Sequence, residues 1–292
     1  MQTDNQLTLE NGAKLSFACY GREDGIPAFY FHGLPGSRRE GMLLHKACEG
    51  AGVRLVAPER PGYGESERIA FYHREQWPQF VAELADHLGF ERFYLFAASG
   101  GAPYGLACAS ALHHRVLGTG ICCGLADITK PELLAFMPGL ARFGFWMARH
   151  HPILLKYSYG ALVSAAAKLA SHLSIGLLAW VQGPPDSSSL LQSETRRIFS
   201  DNLRESFRHG PYGGLTDMCL AMEPWSFDLS HIGSLLLWHG NQDHVVPLEH
   251  SRWLAHQLPT AKLHIFKDEG HFSLPVRFAA TLVKSVVVNK DI

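Results

Sequence analysis

The sequence predicts an α/β protein in which a wound sheet flanked by helices is interrupted by a helical insertion. Over the first 125 residues, short apolar runs alternate with helical patterns, which is typical of such a sheet. The alternation stops near Leu125, where the chain becomes rich in Ala, Leu, Met, Phe and Trp, and resumes after Asp228. We therefore expect a sheet domain formed by residues 1–124 and 229–292, with a helical cap at 125–228.

The first elements are an edge hairpin and two buried strands. The segments "QLTLENG" and "AKLSFACYG" predict two strands joined by an Asn-Gly turn. Residues 27–33 and 52–60 are more continuously apolar, as strands covered on both faces should be. A helix is predicted between them, over Glu40–Gly50.

The next elements lead to a single serine between small residues. Apolar positions in residues 74–88 have helical spacing, and a strand is predicted at 92–99. A helix of small residues follows at 101–112, and then a strand at 116–124. The expected order is therefore helix, strand, helix, strand, as in a parallel sheet.

After the insertion, the pattern of a sheet returns. Strands are predicted at residues 234–240 and 262–268, with helices at 248–257 and 274–288. The insertion leaves and re-enters the sheet at the carboxyl ends of strands, where open α/β sheets bind ligands. We therefore expect the cap to act as a lid.

Composition limits the classes of partner. The 292 residues carry a formal net charge of -1, which gives no overall basic footprint for nucleic acid or an anionic membrane. The polar amino terminus lacks the pattern of a secretory signal, so a cytoplasmic location is expected. Lys168 and His172 interrupt the apolar stretch Ala161–Val181, which favours a cap or core helix over a membrane span.

The cysteines predict neither a metal site nor a disulfide framework. All six are scattered without C-x-x-C spacing, so buried free thiols are expected. They are Cys19, Cys48, Cys108, Cys122, Cys123 and Cys219.

The segment "FAASGGAPYG" places Ser99 at a predicted strand-to-helix junction. Large side chains would clash where a sharp turn brings helix and strand together, so the small residues on either side are typical of an exposed nucleophile. The usual pattern is G-x-S-x-G, and Ala97 stands where the first glycine is expected. A tight turn without catalytic role is the alternative interpretation.

The segment "HGLPGS", residues 32–37, follows a central strand. Its glycines would free backbone N–H groups to bind a developing negative charge. We expect the N–H groups of Leu34 and Gly100 to form such an oxyanion hole, and His32 to serve in packing.

An acid and a histidine follow later strands. Asp243 lies just after the strand in "WHGNQDHVVP", and His271 lies in "KDEGHFSL" after the last strand. The order Ser99, Asp243, His271 is the one expected for this type of turn, with all three at one sheet edge. Asp127, which also ends a strand, is a rival to Asp243. His239 and His244 are interpreted as loop or packing residues.

These motifs, together with "APERPGYGES", resemble the α/β-hydrolase fold superfamily over residues 32–273. The resemblance implies an eight-stranded, mostly parallel sheet with a helical cap between the sixth and seventh strands. It also implies hydrolysis through an acyl-enzyme, with Ser99 attacking, His271 as base then acid, and Asp243 holding His271. No metal or organic cofactor is implied. Serine at position 99 argues against the dehalogenase and epoxide-hydrolase branches, which carry aspartate there.

The substrate expected from the sequence is a small to medium carboxylic ester with an apolar acyl or aromatic group. Three alternatives stay open: a carbon–carbon bond hydrolase of ring-cleavage diketones, an iminopeptidase or amidase, and a non-catalytic ligand-binding member of the fold. Exposed apolar cap surface could support a homodimer. The apolar cap residues predicted to bind substrate are Phe136, Phe143, Trp146, Met218, Met222 and Trp225.

Overall fold

A computed structural model describes residues 2–288 of the chain. Its centre is an eight-stranded sheet with the order β1-β2-β4-β3-β5-β6-β7-β8. Strand β2 pairs antiparallel with β1 and β4, and all other pairs are parallel. The mostly parallel eight-stranded sheet expected from the sequence is therefore confirmed. The strands are β1 Gln2–Thr8, β2 Lys14–Gly21, β3 Ile26–Phe31, β4 Val53–Pro58, β5 Phe93–Ala98, β6 Val116–Cys122, β7 Leu235–Gly240 and β8 Ala261–Phe266.

Within residues 2–288, five α-helices lie outside the cap region. They are α1 His45–Ala51, α2 Trp77–His87, α3 Ala102–Ala111, α11 Glu249–Gln257 and α12 Ser273–Val288. The helix expected over Glu40–Gly50 is split, because a 3₁₀ segment, Arg38–Leu44, precedes α1. Ser37 caps that segment by accepting a hydrogen bond from the N–H of Arg39.

Between β6 and β7, the described elements are all helical. A π-helical turn, Lys156–Gly160, joins α6 to α7, and α7 carries one non-helical residue, Ala170 (φ -140°, ψ 36°). This insertion occupies the region predicted as the cap, and we keep that name for residues 125–228. Its helices are α4 Pro131–Phe136, α5 Gly139–His150, α6 Pro152–Leu155, α7 Ala161–Gln182, α8 Asp186–Leu190, α9 Ser193–Ser206 and α10 Tyr212–Ala221.

A buried ion-pair network joins the cap to the sheet domain. The Arg38 guanidinium lies 2.7 Å from the Glu59 carboxylate and 2.6 Å from that of Glu205 in α9. Burial raises the pKa of Glu59 to about 7 even though Arg38 opposes this shift. The pKa of Glu205 is lowered, since hydrogen bonds from Arg208 and Arg38 outweigh the effect of its burial. Removing one of these side chains would leave another buried charge unpaired, which is strongly destabilising. The network therefore holds α9 against the sheet domain.

Candidate active site

Ser99 lies at the turn between β5 and α3. Its φ is 52°, in the left-handed region that non-glycine residues rarely adopt. Backbone strain of this kind persists only where the surrounding structure enforces it, and it clusters at active sites. The side chain is half-buried, so solvent or a substrate can reach it.

Close approach of α3 to the sheet explains the small residues around Ser99. A Cβ on Gly101 would overlap the Phe31 carbonyl oxygen, and one on Gly105 would lie 3.0 Å from the Ala97 Cβ. The strand side of this contact therefore carries a methyl group, and the helix side carries none. Alanine fits in place of the first glycine of the pattern because Gly105 supplies the space.

The two predicted oxyanion-hole residues are neighbours. A Cβ on Gly100 would lie 3.2 Å from the backbone nitrogen of Leu34 and 2.5 Å from its Cβ. Among residues 2–288 the Leu34 N–H has no backbone partner, and the Gly100 N–H lies in the first turn of the 3₁₀ segment Ser99–Gly101, where N–H groups lack a partner within the helix. Two unused backbone donors therefore lie beside Ser99, where an oxyanion would form during attack.

Glu40 holds the loop that carries Leu34. Its buried carboxylate accepts hydrogen bonds from the Gly33 N–H (3.0 Å), the Tyr30 hydroxyl (2.6 Å) and the Asn202 side-chain amide of α9 (3.1 Å). Burial raises the pKa of Glu40, although these hydrogen bonds and Arg60 oppose the shift. Glu40 therefore fixes the loop at Gly33, and Glu40 is itself held by Tyr30 of the sheet domain and Asn202 of the cap.

Arg60 fixes the same loop through its carbonyl groups. Its guanidinium donates to the carbonyl oxygens of His32 and Gly33, each at 2.7 Å, and it pairs with Asp217 of α10 at 2.7 Å. The hydroxyls of Tyr63 and Tyr104 also donate to Asp217, at 2.8 and 2.5 Å. Arg60 therefore fixes the orientation of the peptide groups on either side of Gly33. In this orientation the N–H of the next residue, Leu34, is available to bind an oxyanion.

His32 is neutral in this setting. Burial and the neighbouring Arg60 lower its pKa well below the usual value. Its Nδ1 lies 3.0 Å from the Gly33 carbonyl oxygen, and its Nε2 accepts from the Arg60 N–H at 3.4 Å. The expected packing role agrees with these contacts.

His271 and Asp243 form a buried pair. The His271 Nδ1 lies 2.7 Å from Asp243 Oδ2, while Oδ1 accepts the N–H groups of Val245 (2.8 Å) and Val246 (2.9 Å). Burial opposes ionisation of Asp243, but the charge and hydrogen bond of His271 help to lower its pKa below the usual range. Burial alone would lower the pKa of His271, yet Asp243 raises it well above the ordinary value. The carboxylate therefore strengthens His271 as a base and orients its ring.

The rival acid Asp127 makes different contacts. Its Oδ1 accepts from the N–H (3.1 Å) and hydroxyl (2.6 Å) of Thr129, which closes a local turn. No hydrogen bond between Asp127 and His271 occurs among the described residues. Of the two candidates, only Asp243 contacts the histidine.

His239 has a larger part than its expected packing role. It is fully buried, and its Nε2 lies 2.8 Å from the Val246 carbonyl oxygen and 3.2 Å from Asp243 Oδ2. Its Nδ1 lies 2.7 Å from the Ser251 hydroxyl. His239 thus contacts the same carboxylate oxygen of Asp243 as His271 does. It ends β7, four residues before the acid, and this spacing was the one available signal for its role.

Ser99 and His271 are linked through the segment after β6. The Ser99 carbonyl oxygen accepts from the Leu125 N–H at 3.0 Å, and the Cys123 Sγ lies 3.9 Å from the carbonyl oxygen of Gly270, the residue before His271. Ser99, Asp243 and His271 follow β5, β7 and β8, so all three lie at the carboxyl edge of the sheet.

Cys123, His239 and Asp243 are the described residues that could share a metal ion. Their ligand atoms lie within 4.8 Å of one another, and all three are buried. However, burial raises the pKa of Cys123 well above the usual value, and metals bind the thiolate. Asp243 Oδ2 is also already the acceptor for His271. The chemistry of the three groups therefore fits a support for Asp243 better than a metal centre.

Asp186, at the start of cap helix α8, holds the loop of His271. Its buried carboxylate accepts the backbone N–H groups of His271, Phe272 and Ser273, at 2.8 to 2.9 Å. These N–H groups lie at the amino-terminal end of α12, where a helix has N–H groups without partners and a partial positive charge. A carboxylate at this position is therefore favourable. A Cβ on Gly270 would lie 2.5 Å from Asp186 Oδ1, so the close approach requires glycine there. Asp186 and His271 are 85 positions apart in the sequence, so no local pattern predicted this contact.

The predicted substrate-binding residues separate into two groups. Met218 and Met222 pack with Leu34 in one apolar cluster, which also contains Leu125 and Phe145. This cluster, which we call the apolar wall, lies beside the candidate oxyanion hole.

The other four residues lie elsewhere. Phe136 is exposed, and so are Phe143 and Trp146, which stack on each other with ring centroids 5.9 Å apart. Trp225 packs against Phe227 and against Trp253 of α11. The structure does not bring these four residues into the apolar wall. For Phe143 and Trp146 the reason is that α5 turns Phe145 and Met147 inward and these two residues outward.

Comparison with known proteins identifies the family. The sequence model of the α/β hydrolase fold family matches residues 29–278. The chain is 25% identical over 266 residues to 2-hydroxymuconate semialdehyde hydrolase from Pseudomonas putida, covering 86% of this chain and 82% of that one.

Solved structures show the same fold. The epoxide hydrolase CorEH superimposes with a TM-score of 0.74 at 17% identity, covering 98% of this chain and 99% of that one. A thermophilic esterase from Thermogutta terrifontis has a TM-score of 0.66 at 20% identity, covering 96% and 97%. At these identities the likeness concerns the fold alone. The family match spans most of the chain, however, and the chain therefore belongs to the α/β hydrolase fold family, as a hydrolase.

Proposed function

We propose that this hydrolase cleaves carboxylic esters with a small to medium apolar acyl or aromatic group. The observation that carries the proposal is the buried Asp243–His271 hydrogen bond at the sheet edge where Ser99 occupies its strained turn. A serine hydroxyl is a weak nucleophile at neutral pH, so it needs a base that is itself oriented by a third group.

In the proposed reaction, Ser99 Oγ attacks the ester carbonyl carbon while His271 Nε2 takes the hydroxyl proton. The carbonyl oxygen becomes an oxyanion that accepts the N–H groups of Leu34 and Gly100. The intermediate collapses, the alcohol leaves with the proton held by His271, and the acyl group stays on Ser99. Water then attacks the acyl-enzyme, gives its proton to His271 and releases the acid, and the proton returns to Ser99.

The apolar wall supports an apolar acyl or aromatic group. Met218 and Met222 lie in the same cluster as Leu34, so a substrate whose carbonyl oxygen reaches the Leu34 N–H would place its substituent near them. Methionine side chains adapt to differently shaped apolar groups. We therefore expect tolerance of several acyl chains and a limit on their length.

A carbon–carbon bond hydrolase is the second candidate, because the Pseudomonas putida relative is named as a semialdehyde hydrolase. Such substrates carry a carboxylate, which a cation in the site would bind. Arg60 is the cation next to the Leu34 loop, and it is already paired with Asp217 and buried beneath two carbonyls. This pairing favours an ester over a ring-cleavage diketone.

The experiment is the hydrolysis of p-nitrophenyl esters of increasing acyl length, with Ser99→Ala purified in the same way. We expect cleavage of short or medium chains and a loss of kcat of about 10⁴-fold or more in the variant. Labelling of Ser99 by a fluorophosphonate without ester cleavage would turn the search to diketones and amides. Undiminished turnover by Ser99→Ala would contradict the mechanism, and no labelling of the wild type would favour a ligand-binding protein.

A further inference from the structure

Helix α7 of the cap buries small side chains and exposes large apolar ones. Its buried side chains are mostly small, and they are Ser164, Ala167, Ser171, Ile175 and Ala179. Its outward side chains are large and apolar, and most of their surface is exposed: Leu162, Leu169, Leu173, Leu177, Trp180 and Val181. At 100° per residue, Leu162 and Leu169 fall on one side of the helix before the non-helical residue Ala170, and Leu173, Leu177 and Trp180 fall on one side after it.

This arrangement is the reverse of an ordinary surface helix, which buries its large apolar residues and exposes polar ones. Leu169 is 88% exposed and Trp180 is 79% exposed, so the outward face is covered by nothing in the described part of the chain. A contiguous exposed apolar face of this kind marks a binding surface. We call it the α7 outer face.

The charge of the surrounding segment indicates the kind of partner. Residues 133–185 contain no Asp or Glu, but they contain Arg142, Arg149, Lys156 and Lys168. The segment therefore carries +4, although the whole chain carries -1. Lys168 is exposed on α7 itself, and Lys156 lies in the π-helical turn that leads into the helix. The apolar face therefore has cations on its own stretch of chain, and a partner with negative charge beside an apolar layer would complement both properties.

We propose that the α7 outer face binds the surface of an anionic lipid bilayer, with its leucines and Trp180 entering the interface. A helix in this position places apolar side chains at the boundary of the acyl chains and keeps cations near the headgroups. Tryptophan is enriched at that boundary. The proposal concerns a surface of the cap and does not depend on the reaction at Ser99.

The helix lies on the bilayer and does not span it. The stretch Pro152–Gln182 is long and apolar enough to cross a membrane, and 22% of its most apolar window is buried. However, α7 packs along the polar helix α9, where Arg196 donates to the His172 carbonyl oxygen and Arg204 donates to the Ser171 hydroxyl at 2.9 Å. Insertion of α7 across the bilayer would expose these polar groups to hydrocarbon.

A second copy of the chain is the less favoured occupant of this face. Two copies that pair through α7 would bring two segments of charge +4 together, and the neighbouring helix α9, which has three arginines and three acidic residues, would not neutralise them. Anionic headgroups would instead neutralise the same cations. Charge therefore favours lipid over self-association.

The test is cosedimentation with vesicles in the absence of substrate, so that its outcome is independent of the proposed ester hydrolysis. We expect the wild type to bind phosphatidylcholine vesicles that contain phosphatidylglycerol, to bind pure phosphatidylcholine more weakly, and to lose binding as salt is added.

Three variants separate the apolar and the electrostatic parts. Leu169→Gln/Leu173→Gln should lower the partition constant about tenfold or more, because it removes apolar area from the interface. Lys168→Gln should lower it about fivefold on anionic vesicles alone. Ile265→Gln, on the exposed side of β8, is the control and should bind like the wild type.

Circular dichroism and a cooperative thermal unfolding transition establish that each variant is folded. If the double variant is unfolded, Leu177→Gln on the same face replaces it. Equal binding by the wild type and the outer-face variants would overturn the proposal. Absence of vesicle binding would also overturn it, and a dimer that the leucine variants dissociate would identify a second copy as the occupant.

Discussion

The two halves of the cap differ in charge and in what they contact. The second half, α8 to α10, contributes three buried carboxylates, and each binds the sheet domain: Asp186 at the His271 loop, Glu205 at Arg38, and Asp217 at Arg60. The first half, α5 to α7, has no acidic residue and exposes large apolar side chains. Buried charge therefore fixes one half of the cap to the site, and the other half is left for external contacts.

The largest expected effect lies in the anchored region at Asp243. Asp243→Asn should lower kcat by about 10⁴-fold, because the amide no longer holds His271 in the tautomer that accepts the proton. The measurement is hydrolysis of the best p-nitrophenyl ester. The matched control is Asp127→Asn, which should retain most of the activity because Asp127 contacts Thr129 and not His271. The reverse ranking would assign the orienting role to Asp127.

The pH profile tests the same pair. In the wild type, kcat/KM should rise with pH through the pKa of His271, because only the neutral imidazole is a base. Asp243 raises that pKa, so the acid limb should lie above the ordinary histidine value of about 6.5. In Asp243→Asn, the residual activity should have its acid limb at lower pH. An unchanged limb would mean that another group controls the profile.

The anchor at Asp217 should matter most for stability. Asp217→Asn leaves the buried Arg60 without its counter-charge, so the free energy of unfolding should fall by about 3–5 kcal/mol. Urea unfolding measures the change. Asp201→Asn is a control in the same cap, because the Asp201–Arg204 pair is exposed and should contribute roughly 0–1 kcal/mol. Equal losses in the two variants would remove the distinction between anchored and exposed charge.

Asp186 is expected to be a positioning residue. Asp186→Asn should lower kcat about tenfold with little change in KM, because the amide replaces one acceptor of the three N–H groups and lets the His271 loop shift. The acid limb of kcat/KM should also move to lower pH as His271 moves from Asp243. Glu194→Gln, which removes an exposed contact with Lys46, is the control. If Asp186→Asn lowered the stability but left kcat and the acid limb of kcat/KM unchanged, Asp186 would have a structural role only.

The smallest expected effect is on the outer face of α7. Leu169→Gln/Leu173→Gln should change the free energy of unfolding by no more than about 0.5 kcal/mol, because both side chains are exposed. Ile175→Ala on the buried face of the same helix should cost about 2–5 kcal/mol. Thermal or urea unfolding in detergent-free buffer measures both. A large loss in the leucine variant would mean that its side chains are packed within the protein.

The sequence predicted the parts of the fold and site that depend on local patterns. The strands, the turn at Ser99 and the place of His271 after the last strand follow from residues close together in the chain. Contacts between distant segments had no such signal: Asp186 meets His271 across 85 residues, and Arg60 meets Asp217 across 157. The same limit affected α5, where aromatic composition predicted substrate contact for Phe143 and Trp146, but helix orientation turned them outward.

The contact between Ala97 and Gly105 has a consequence for how the chain can vary. Because the two Cβ positions would be 3.0 Å apart, one methyl group fits between strand and helix and two would be crowded. The constraint therefore applies to the pair of positions and not to either alone. Exchanging the residues, with glycine at 97 and alanine at 105, should be tolerated better than Gly105→Ala by itself. A pattern that requires glycine at one fixed position would overlook chains in which the missing side chain has moved to the other partner.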